Sequence, residues 1–276
     1  MIAQNQSSIA ETLKRITAML RPVAAEEAAQ QSRLLLCHVL GFSDASTLVK
    51  NMLQLFPQDR TDALDQALAR RLAGEPLQYI LGEWDFMGLT FQVRPGVLIP
   101  RQDTETLCEH ALELIRLNAY NSALDMCCGS GCIGISLAAL CGISITLADI
   151  SLECISLAEQ NAKSHGLNAA LVQSDLFDSI HGTFDLIVCN PPYIPAHDMP
   201  SLQREVRHEP ALALCGGTDG LNIYRRLAAV YALHLNAGGA LLMEVGINQA
   251  PDVIAIFGKG HTICDINGIE RVVVVA

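Results

Sequence analysis

The sequence Leu124-Asp125-Met126-Cys127-Cys128-Gly129-Ser130-Gly131-Cys132-Ile133-Gly134 predicts how the second half of the chain folds. An apolar run, Ala123–Cys127, leads directly into closely spaced glycines, as at a turn from a β-strand into a helix. The three glycines follow the G-x-G-x-x-G spacing, which lets a ligand approach the backbone. The spacing is weak evidence alone, because a tight turn without a ligand would look the same.

Around this turn, strand-like and helical segments alternate from residue 101 to residue 276. We predict strands at Ala123–Cys127, Ile143–Ala148, Ala170–Gln173, Phe184–Cys189, Ala240–Val245, His261–Asp265 and Arg271–Ala276. Helical stretches separate the first five. This alternation predicts an α/β fold with a mostly parallel seven-stranded sheet, covered on both faces and closed by an antiparallel pair at its edge.

The N-terminal third of the chain has a different pattern. Residues 1–77 predict a small helical bundle, in which Ser8 and Glu11 form a capping box. Its helical segments are Ala24–Leu40, which stops at Gly41, Asp44–Leu55 and Thr61–Leu72. Residues 78–100 interleave aromatic and polar residues and predict a β-hairpin linker with Met87-Gly88 near its turn. The predicted domains are therefore 1–77, 78–100 and 101–276.

Composition limits the classes of function. Half of the 276 residues are hydrophobic, 17% are charged and the net charge is −11. Residues 101–276 carry nine Lys/Arg against nineteen Asp/Glu, so a stable nucleic-acid partner is not expected. No signal peptide is evident in Met1–Ser8, and no apolar run approaches the ~20 residues that span a bilayer. We expect a cytoplasmic protein that does not associate with membranes.

Ten cysteines are present, but none forms a C-x-x-C pair or a zinc-finger spacing. Most lie in apolar runs, as reduced, packed thiols do. Cys127, Cys128 and Cys132 cluster, but we expect no metal site there.

Two acidic residues follow predicted strands. Asp149 ends the second strand, 20 residues after Gly129, where a carboxylate can accept both hydroxyls of a ribose. It could equally cap the helix that starts near Ser151. Asp175 ends the third strand and could accept a hydrogen bond from an adenine amino group, or be a plain loop carboxylate. Nicotinamide, flavin and adenosylmethionine proteins all remain possible on this evidence.

The stretch Asn190-Pro191-Pro192-Tyr193, after the fourth strand, favours methyl transfer. A planar NH₂ group, in an amide or on a base, is a poor nucleophile because its lone pair is delocalised. The side-chain carbonyl of Asn190 and the backbone carbonyl of Pro191 could each accept one of its hydrogens and hold the nitrogen in line with a methylsulfonium. Pro191 and Pro192 stiffen the loop. The ring of Tyr193 offers a flat face for the substrate.

With Asp-x-x-x-Gly-x-Gly before it, this loop resembles that of the amino-methyltransferases that use S-adenosylmethionine. A wider set of residues resembles the protein glutamine-N5 methyltransferases of peptide chain release factors, over essentially the whole chain. That set is Gln78-Tyr79-Ile80, Gly82, Phe86-Met87-Gly88, Val97–Arg101, Thr104-Glu105, Asn190–Pro195, Glu209-Pro210, Ala213-Leu214, Gly217, Asp219–Leu221 and Glu244.

The resemblance implies a class I, Rossmann-like methyltransferase domain preceded by a helical domain that helps to dock the release factor. It implies transfer from S-adenosylmethionine, giving S-adenosylhomocysteine, to the glutamine of the factor's Gly-Gly-Gln loop. The catalytic residues would be Asn190, Pro191, Pro192 and Tyr193. The cofactor-binding residues would be Cys127, Cys128, Gly129, Ser130, Gly131, Asp149, Leu176 and Asn190. From their positions beside the same strand ends and cleft, we add Asp125, Asp175 and Arg101 to the predicted cofactor site.

Two departures from the family pattern stand beside the glycine turn and the catalytic-domain entrance. The family usually has Gly-Thr at Cys127-Cys128, and Cys127 is large enough to crowd the cofactor. It usually has a proline where this chain has Gln102, which loosens the loop before the first helix of the domain.

Several alternatives stay open. The same amine chemistry serves methylation of adenine or guanine in DNA or RNA, or of a ribosomal-protein glutamine. A protein that binds the cofactor without turnover is a third possibility. Arg101 could contact the cofactor or order its loop, and Glu244 could support the site or simply end a strand. We expect a monomer.

Overall fold

The computed structural model describes residues 7–276, so the first six residues of the predicted helical domain lie outside the described residues. The chain forms two compact units. One unit comprises the residues up to Gly82 together with Arg204–His208. The other comprises Glu83–Gln203 and Glu209–Ala276.

The first unit is helical. Its helices are α1 (Ile9–Ala24), α2 (Ala28–Leu40), α3 (Ala45–Lys50), α4 (Thr61–Leu72) and α5 (Leu77–Leu81). The predicted capping box is confirmed, since Ser8 Oγ accepts from the Glu11 N–H while the Glu11 carboxylate accepts from the Ser8 N–H. The end of α2 at left-handed Gly41 and both ends of α4 also agree with prediction.

Two predicted helix boundaries are wrong. The helix expected from Ala24 begins at Ala28, because Ala25 has a positive φ of 41° and opens a short 3₁₀ turn. The helix expected to run to Leu55 ends at Lys50. The chain beyond it pairs with the start of α1 instead, where the Ile9 N–H donates to the Gln54 carbonyl.

The core of this unit is apolar, with one buried cation. Residues such as Ile16, Leu20 and Leu35 are fully buried within it. Arg71, which is 2% exposed, donates to Gln31 Oε1 and forms a 2.6 Å ion pair with Glu205 from the returning segment. A buried arginine needs such partners, because removing one leaves a charge without compensation.

The second unit opens with a hairpin of β1 (Glu83–Phe86) and β2 (Leu89–Gln92). Met87 and Gly88 between them both have positive φ, which suits a tight two-residue turn. The predicted hairpin, 78–100, was too long at both ends, because Gln78–Leu81 belong to the helix α5 and the second strand ends at Gln92.

A seven-stranded sheet follows, in the order β5-β4-β3-β6-β7-β9-β8. Its strands are β3 (Ser122–Met126), β4 (Ser144–Asp149), β5 (Ala170–Gln173), β6 (Phe184–Cys189), β7 (Leu235–Glu244), β8 (His261–Cys264) and β9 (Glu270–Val275). All pairs from β5 to β7 are parallel, and β9 is antiparallel to both β7 and β8. The mostly parallel sheet with an antiparallel edge is confirmed.

Helices and apolar side chains cover both faces of the sheet. The helices are α6 (Glu105–Asn118), α7 (Cys132–Cys141), α8 (Leu152–Ser164), α9 (Ala211–Leu214), α10 (Asn222–Val230) and α11 (Ala250–Phe257). Successive strand residues alternate between two buried clusters, with Ala123 and Leu186 on one face and Leu124 and Ile187 on the other. No helix among residues 7–276 has the length and hydropathy to cross a bilayer.

The strand order reverses between β3 and β6, and parallel α/β sheets bind ligands at the carboxyl ends of the strands beside such a reversal. Met126 is the register partner of both Ala148 and Cys189. The residues after these strands, including Cys127 and Asn190, therefore emerge at one edge.

Candidate active site

A cavity of about 360 Å³ opens at the carboxyl ends of the parallel strands, wholly within the second unit. Its volume falls in the range of small-molecule sites. The predicted site residues that line it are Arg101, Cys127, Cys128, Gly129, Ser130, Asp149, Asp175, Leu176, Asn190 and Pro192. Asp125, Gly131, Pro191 and Tyr193 are not among the lining residues.

The turn between β3 and α7 bends sharply along one wall. Cys127, Gly129 and Gly131 have φ values of 60°, 55° and 79°, all in the left-handed region. A side chain at Gly131 would stand 2.8 Å from Ile135, so this glycine serves packing against its own helix. Gly134 likewise has no room for a Cβ, which would lie 2.5 Å from Leu147 and 2.9 Å from the Asp125 Cβ.

Asp149 ties this turn to the next strand. Its Oδ2 accepts from the Gly129 N–H at 3.0 Å and its Oδ1 accepts from the Ser151 N–H at 2.9 Å. Burial raises the pKa of Asp149, and these backbone hydrogen bonds lower it in part. The sequence left ribose binding and helix capping open. Ser151 is the N-cap of α8, while Asp149 accepts from the Ser151 N–H and lines the cavity, so ribose binding by Asp149 stays a prediction.

Asp125 lies behind the turn and is fully buried. Its Oδ2 accepts from the Gly134 N–H at 2.8 Å, and its Oδ1 has no hydrogen-bond partner among the described residues. Burial raises its pKa to about 7. The geometry makes Asp125 a support for the start of α7, and direct contact with a cofactor stays a prediction.

A third wall follows β5. Leu176 is buried at a φ of 51°, and its carbonyl accepts from Ser174 Oγ at 2.6 Å, which holds this unusual backbone. Asp175 forms a 2.9 Å ion pair with Arg226 of α10. No motif pointed to Arg226, which lies 51 residues after Asp175 in the sequence and also lines the cavity.

The Asn-Pro-Pro-Tyr loop closes the cavity beside the glycine turn. Nδ2 of Asn190 donates to Thr104 Oγ1 at 3.2 Å, which leaves the other end of the amide, Oδ1, as an acceptor. Pro192 contributes to the lining, whereas Pro191 is buried. The hydroxyl of Tyr193 donates to Glu244 Oε1 at 3.3 Å, and burial raises the pKa of this phenol.

Backbone contacts hold this loop from behind. An added Cβ at Gly216 would stand 2.6 Å from the Pro192 carbonyl oxygen, and one at Gly220 would stand 2.2 Å from that of Tyr193. The side chain of Gln249 donates to the same Tyr193 carbonyl at 2.9 Å. Because Gly216 and Gly220 have no side chain, the backbone around them can pack directly against the Asn-Pro-Pro-Tyr loop.

Arg101 is held at the cavity entrance by Glu209. The two form an ion pair, and the second carboxylate oxygen of Glu209 accepts from the Ile99 N–H at 3.0 Å. The Glu209 side chain is 1% exposed and that of Arg101 is 37% exposed. Gln102–Thr104, where the family usually has a proline, form an ordered 3₁₀ turn that presents Thr104 to Asn190.

All ten cysteines are free thiols in the structure. Burial raises the pKa of Cys132 to about 12, and it is also the main reason why the pKa of Cys128 is well above its usual value. Within residues 7–276, no group of three His, Cys, Asp or Glu side chains could hold a metal ion.

The seven-stranded, mostly parallel sheet with its antiparallel edge has the architecture of a class I methyltransferase domain. The family model for the methyltransferase small domain matches residues 93–210, and the PrmC N-terminal domain matches residues 11–82. The human Mettl16 catalytic domain, solved with the hairpin 6 RNA of the MAT2A 3′UTR, has a TM-score of 0.56 at 18% identity. That match covers 76% of this chain and 81% of the other, and it concerns the fold alone.

The particular family follows from the curated relatives. The release factor glutamine methyltransferase of Geobacter sulfurreducens is 41% identical over 95% of both chains. That of Bradyrhizobium diazoefficiens is 37% identical over 96% of this chain and 94% of its own. The chain belongs to the release factor glutamine methyltransferase family.

Proposed function

We propose that this protein methylates the side-chain amide nitrogen, N5, of the glutamine in the Gly-Gly-Gln loop of peptide chain release factors. Family membership over nearly the whole chain supports this activity. The observation that carries the chemistry is the oriented amide of Asn190. Its Nδ2 is engaged by Thr104, so its Oδ1 is left to accept from a substrate N–H beside the cavity.

The cavity suits S-adenosylmethionine. Gly129 lines the cavity and has no side chain, so a ligand can approach its backbone closely. The Asp149 carboxylate also lines the cavity, where the hydroxyl groups of a ribose could donate to it. Apolar wall residues such as Leu176 and Ile150 could pack against an adenine ring. When bound, the cofactor supplies an electrophilic methyl group.

The chain's own residues would hold the acceptor nitrogen. The lone pair of an amide nitrogen is delocalised into its carbonyl, so the nitrogen must be positioned before it reacts. Asn190 Oδ1 accepts one of its hydrogens, and the partial negative charge of that oxygen favours the positive charge that develops as the new bond forms. We keep the Pro191 carbonyl as the second acceptor and the Tyr193 ring as the packing face.

We propose that Arg101, through its ion pair with Glu209, holds the chain at the cavity entrance in place. Asp175 forms an ion pair with Arg226 on the cavity wall, and there it would accept a hydrogen bond from the adenine amino group. Asp125, Cys127, Cys128, Ser130 and Gly131 form or support the turn. We assign docking of the release factor to residues 1–77 and the transfer itself to residues 101–276, with 78–100 as the linker.

Methylation of a base in DNA or RNA is the second candidate, because an exocyclic amine on a base has a delocalised lone pair like that of a side-chain amide and could be held by the same Asn-Pro-Pro-Tyr residues. The acidic balance of residues 101–276 opposes it. A ribosomal-protein glutamine is a third acceptor. We further propose that the protein acts as a cytoplasmic monomer without stable nucleic-acid binding.

A labelled-methyl assay separates these acceptors. The purified protein receives labelled S-adenosylmethionine with a release factor, with the same factor carrying alanine for the Gly-Gly-Gln glutamine, with ribosomal proteins, or with DNA and rRNA. Label on the intact factor alone supports the proposal. Label on nucleic acid or ribosomal protein would replace it with the corresponding alternative, and bound cofactor without transfer to any acceptor would indicate an inactive binding protein.

A further inference from the structure

Leu212, on the short helix α9, is a large apolar side chain that lines the cavity and is 60% exposed. An exposed leucine needs no explanation by itself. Its place is what distinguishes it, because Ile150 and Leu212 are the large apolar residues of the segment 7–276 that are both exposed and part of the cavity lining. Ile150 directly follows Asp149, on the wall proposed for the cofactor. Leu212 has no use in the proposed chemistry.

The helix α9 buries one side and leaves the other open to the cavity. At about 3.6 residues per turn, side chains two positions apart point to roughly opposite sides of a helix. Leu214 is 6% exposed and anchors the helix, and Leu212 is therefore directed outward. Glu209, two residues before α9, holds the start of this segment at the cavity entrance through its ion pair with Arg101.

The end of α9 is tied to the Asn-Pro-Pro-Tyr loop. The Leu214 carbonyl accepts from the Ile194 N–H at 2.9 Å, and the Gly216 N–H donates to the Ile194 carbonyl at 2.9 Å. Ile194 directly follows Tyr193, so these two bonds fix α9 to the loop that holds the acceptor and not to the glycine turn. Leu212 is thus a fixed apolar group on the acceptor side of the cavity.

The acceptor is one side chain of a whole protein. A cavity of about 360 Å³ that also takes the cofactor has room for that side chain, but the backbone on either side of it must stay at the entrance. With the amide nitrogen at Asn190, the residues next to the glutamine lie beside the loop, where Leu212 is exposed. Glycine has no Cβ, so a glycine backbone can lie flat against an apolar side chain.

We propose that Leu212 contacts the two glycines that precede the target glutamine and thereby selects acceptors that carry no side chain at these positions. This inference rests on the proposed function and deepens it, because it names the part of the acceptor loop that is recognised besides the glutamine. The contact forms when the acceptor binds and does not change as the methyl group moves, so it acts on KM more than on kcat.

The kinetic test uses Leu212→Ala and Leu212→Ile, with Leu117→Ala as a control. Leu117 is 73% exposed on α6 of the same unit and is not part of the cavity lining. Leu212→Ala should raise KM for the intact release factor about tenfold through lost apolar contact, with kcat within about threefold of the wild type. Leu212→Ile keeps the apolar volume, so it and Leu117→Ala should stay within about threefold of the wild-type KM.

A second acceptor measures selection directly, and a merely structural role of Leu212 would not alter the result. It is the same release factor with alanine for the glycine directly before the glutamine. The wild type should prefer the intact factor by about tenfold or more in kcat/KM, and Leu212→Ala should reduce this preference to about threefold or less, because the smaller side chain leaves room for the added methyl group.

An unchanged preference in Leu212→Ala, or an equal rise of KM in Leu117→Ala, would overturn this inference while methylation of the intact factor still supports the proposed function. A loss of cofactor affinity of more than about tenfold in Leu212→Ala, measured by calorimetric titration, would place Leu212 against the cofactor and would overturn it as well. Absence of label on the intact factor from the wild-type protein would overturn the proposed function, and this inference with it.

Discussion

Gly220 approaches Tyr193 so closely that a Cβ on Gly220 would stand 2.2 Å from the Tyr193 carbonyl oxygen. Gly220 also has a φ of 78°, which L-residues rarely adopt. The Asn-Pro-Pro-Tyr loop is therefore rigid for two reasons: its own prolines, and a backbone packed directly behind it.

Gly220→Ala should displace the loop and reduce methyl transfer at least tenfold, because a backbone carbonyl cannot yield as a flexible side chain does. The control is Gly142→Ala, at a similar positive φ of 70° but with open space around its Cβ. The control should cost about 1 kcal/mol of unfolding free energy from backbone strain alone and leave turnover unchanged. Thermal unfolding and initial rates measure both, and equal behaviour of the two variants would contradict the packing explanation.

Asn190→Ala should lower kcat by about 100-fold or more, since it removes the acceptor that positions the amide nitrogen. Cofactor affinity should stay within about tenfold, roughly 1.4 kcal/mol, because the glycine turn and Asp149 supply most of that site. Calorimetric titration with the cofactor and single-turnover transfer give the two quantities. Asn118→Ala, at the exposed end of α6, serves as the control. Complete loss of cofactor binding in Asn190→Ala would show that Asn190 acts mainly on the cofactor rather than on the acceptor amide.

Cys127→Gly should stabilise the protein by up to about 1 kcal/mol and leave cofactor affinity equal or higher. Cys127 holds a φ of 60°, which glycine adopts without strain. Cys127→Ala keeps the Cβ and removes only the thiol, so it distinguishes backbone strain from the chemistry of sulfur. If alanine stabilises as much as glycine, strain is not the cause. Denaturant unfolding with and without cofactor provides the comparison.

The buried acids should make stability depend on pH. The pKa of Glu244 is raised from 4.5 to about 7, so its contribution to stability is fully present below about pH 4.5 and is lost as the pH rises through about 7. The loss is on the order of 3 kcal/mol. The glutamine of Glu244→Gln does not ionise, so the mutant lacks this loss. The free energy of unfolding of the mutant minus that of the wild type should therefore be larger at pH 8 than at pH 4.5. Urea unfolding at the two pH values tests this, and parallel pH curves for the two proteins would contradict a raised pKa.

Glu209→Ala should destabilise the protein more than Glu209→Gln does. Both carboxylate oxygens are used, one by the Ile99 N–H and one by Arg101, and glutamine can still accept one of these bonds. We expect a loss of about 1–3 kcal/mol for glutamine, because Arg101 is partly exposed and solvent screens its charge. The exposed Glu159, paired with Lys163 on α8, provides a control in Glu159→Gln, with an effect of about 0.5 kcal/mol or less. Similar losses at Glu209 and Glu159 would show that the entrance pair contributes little.

Much of the fold follows from local patterns. The seven strands, the helix α4, the capping box at Ser8 and the turn at Met87-Gly88 were all predictable, because each depends on residues close in sequence. The glycine spacing at Gly129 and the motif that begins at Asn190 likewise indicated two segments that the structure brings to the wall of one cavity. Two boundaries were missed for different reasons: Ala25 has a positive φ and opens a 3₁₀ turn before α2, whereas the chain after Lys50 makes backbone bonds to the start of α1.

The partners of the site residues were decided only by the tertiary structure. Thr104 meets Asn190 across 86 residues of sequence, Arg226 pairs with Asp175, and Glu244 lies under Tyr193. The parallel register that aligns Met126 with Cys189 brings these segments to one edge of the sheet. The class of chemistry was predictable from the amino-acid sequence, because the residues that indicate methyl transfer stand together in short motifs. Burial, protonation and the direction of the Asn190 amide depend on neighbours that the motifs do not contain, so only the folded structure could decide them.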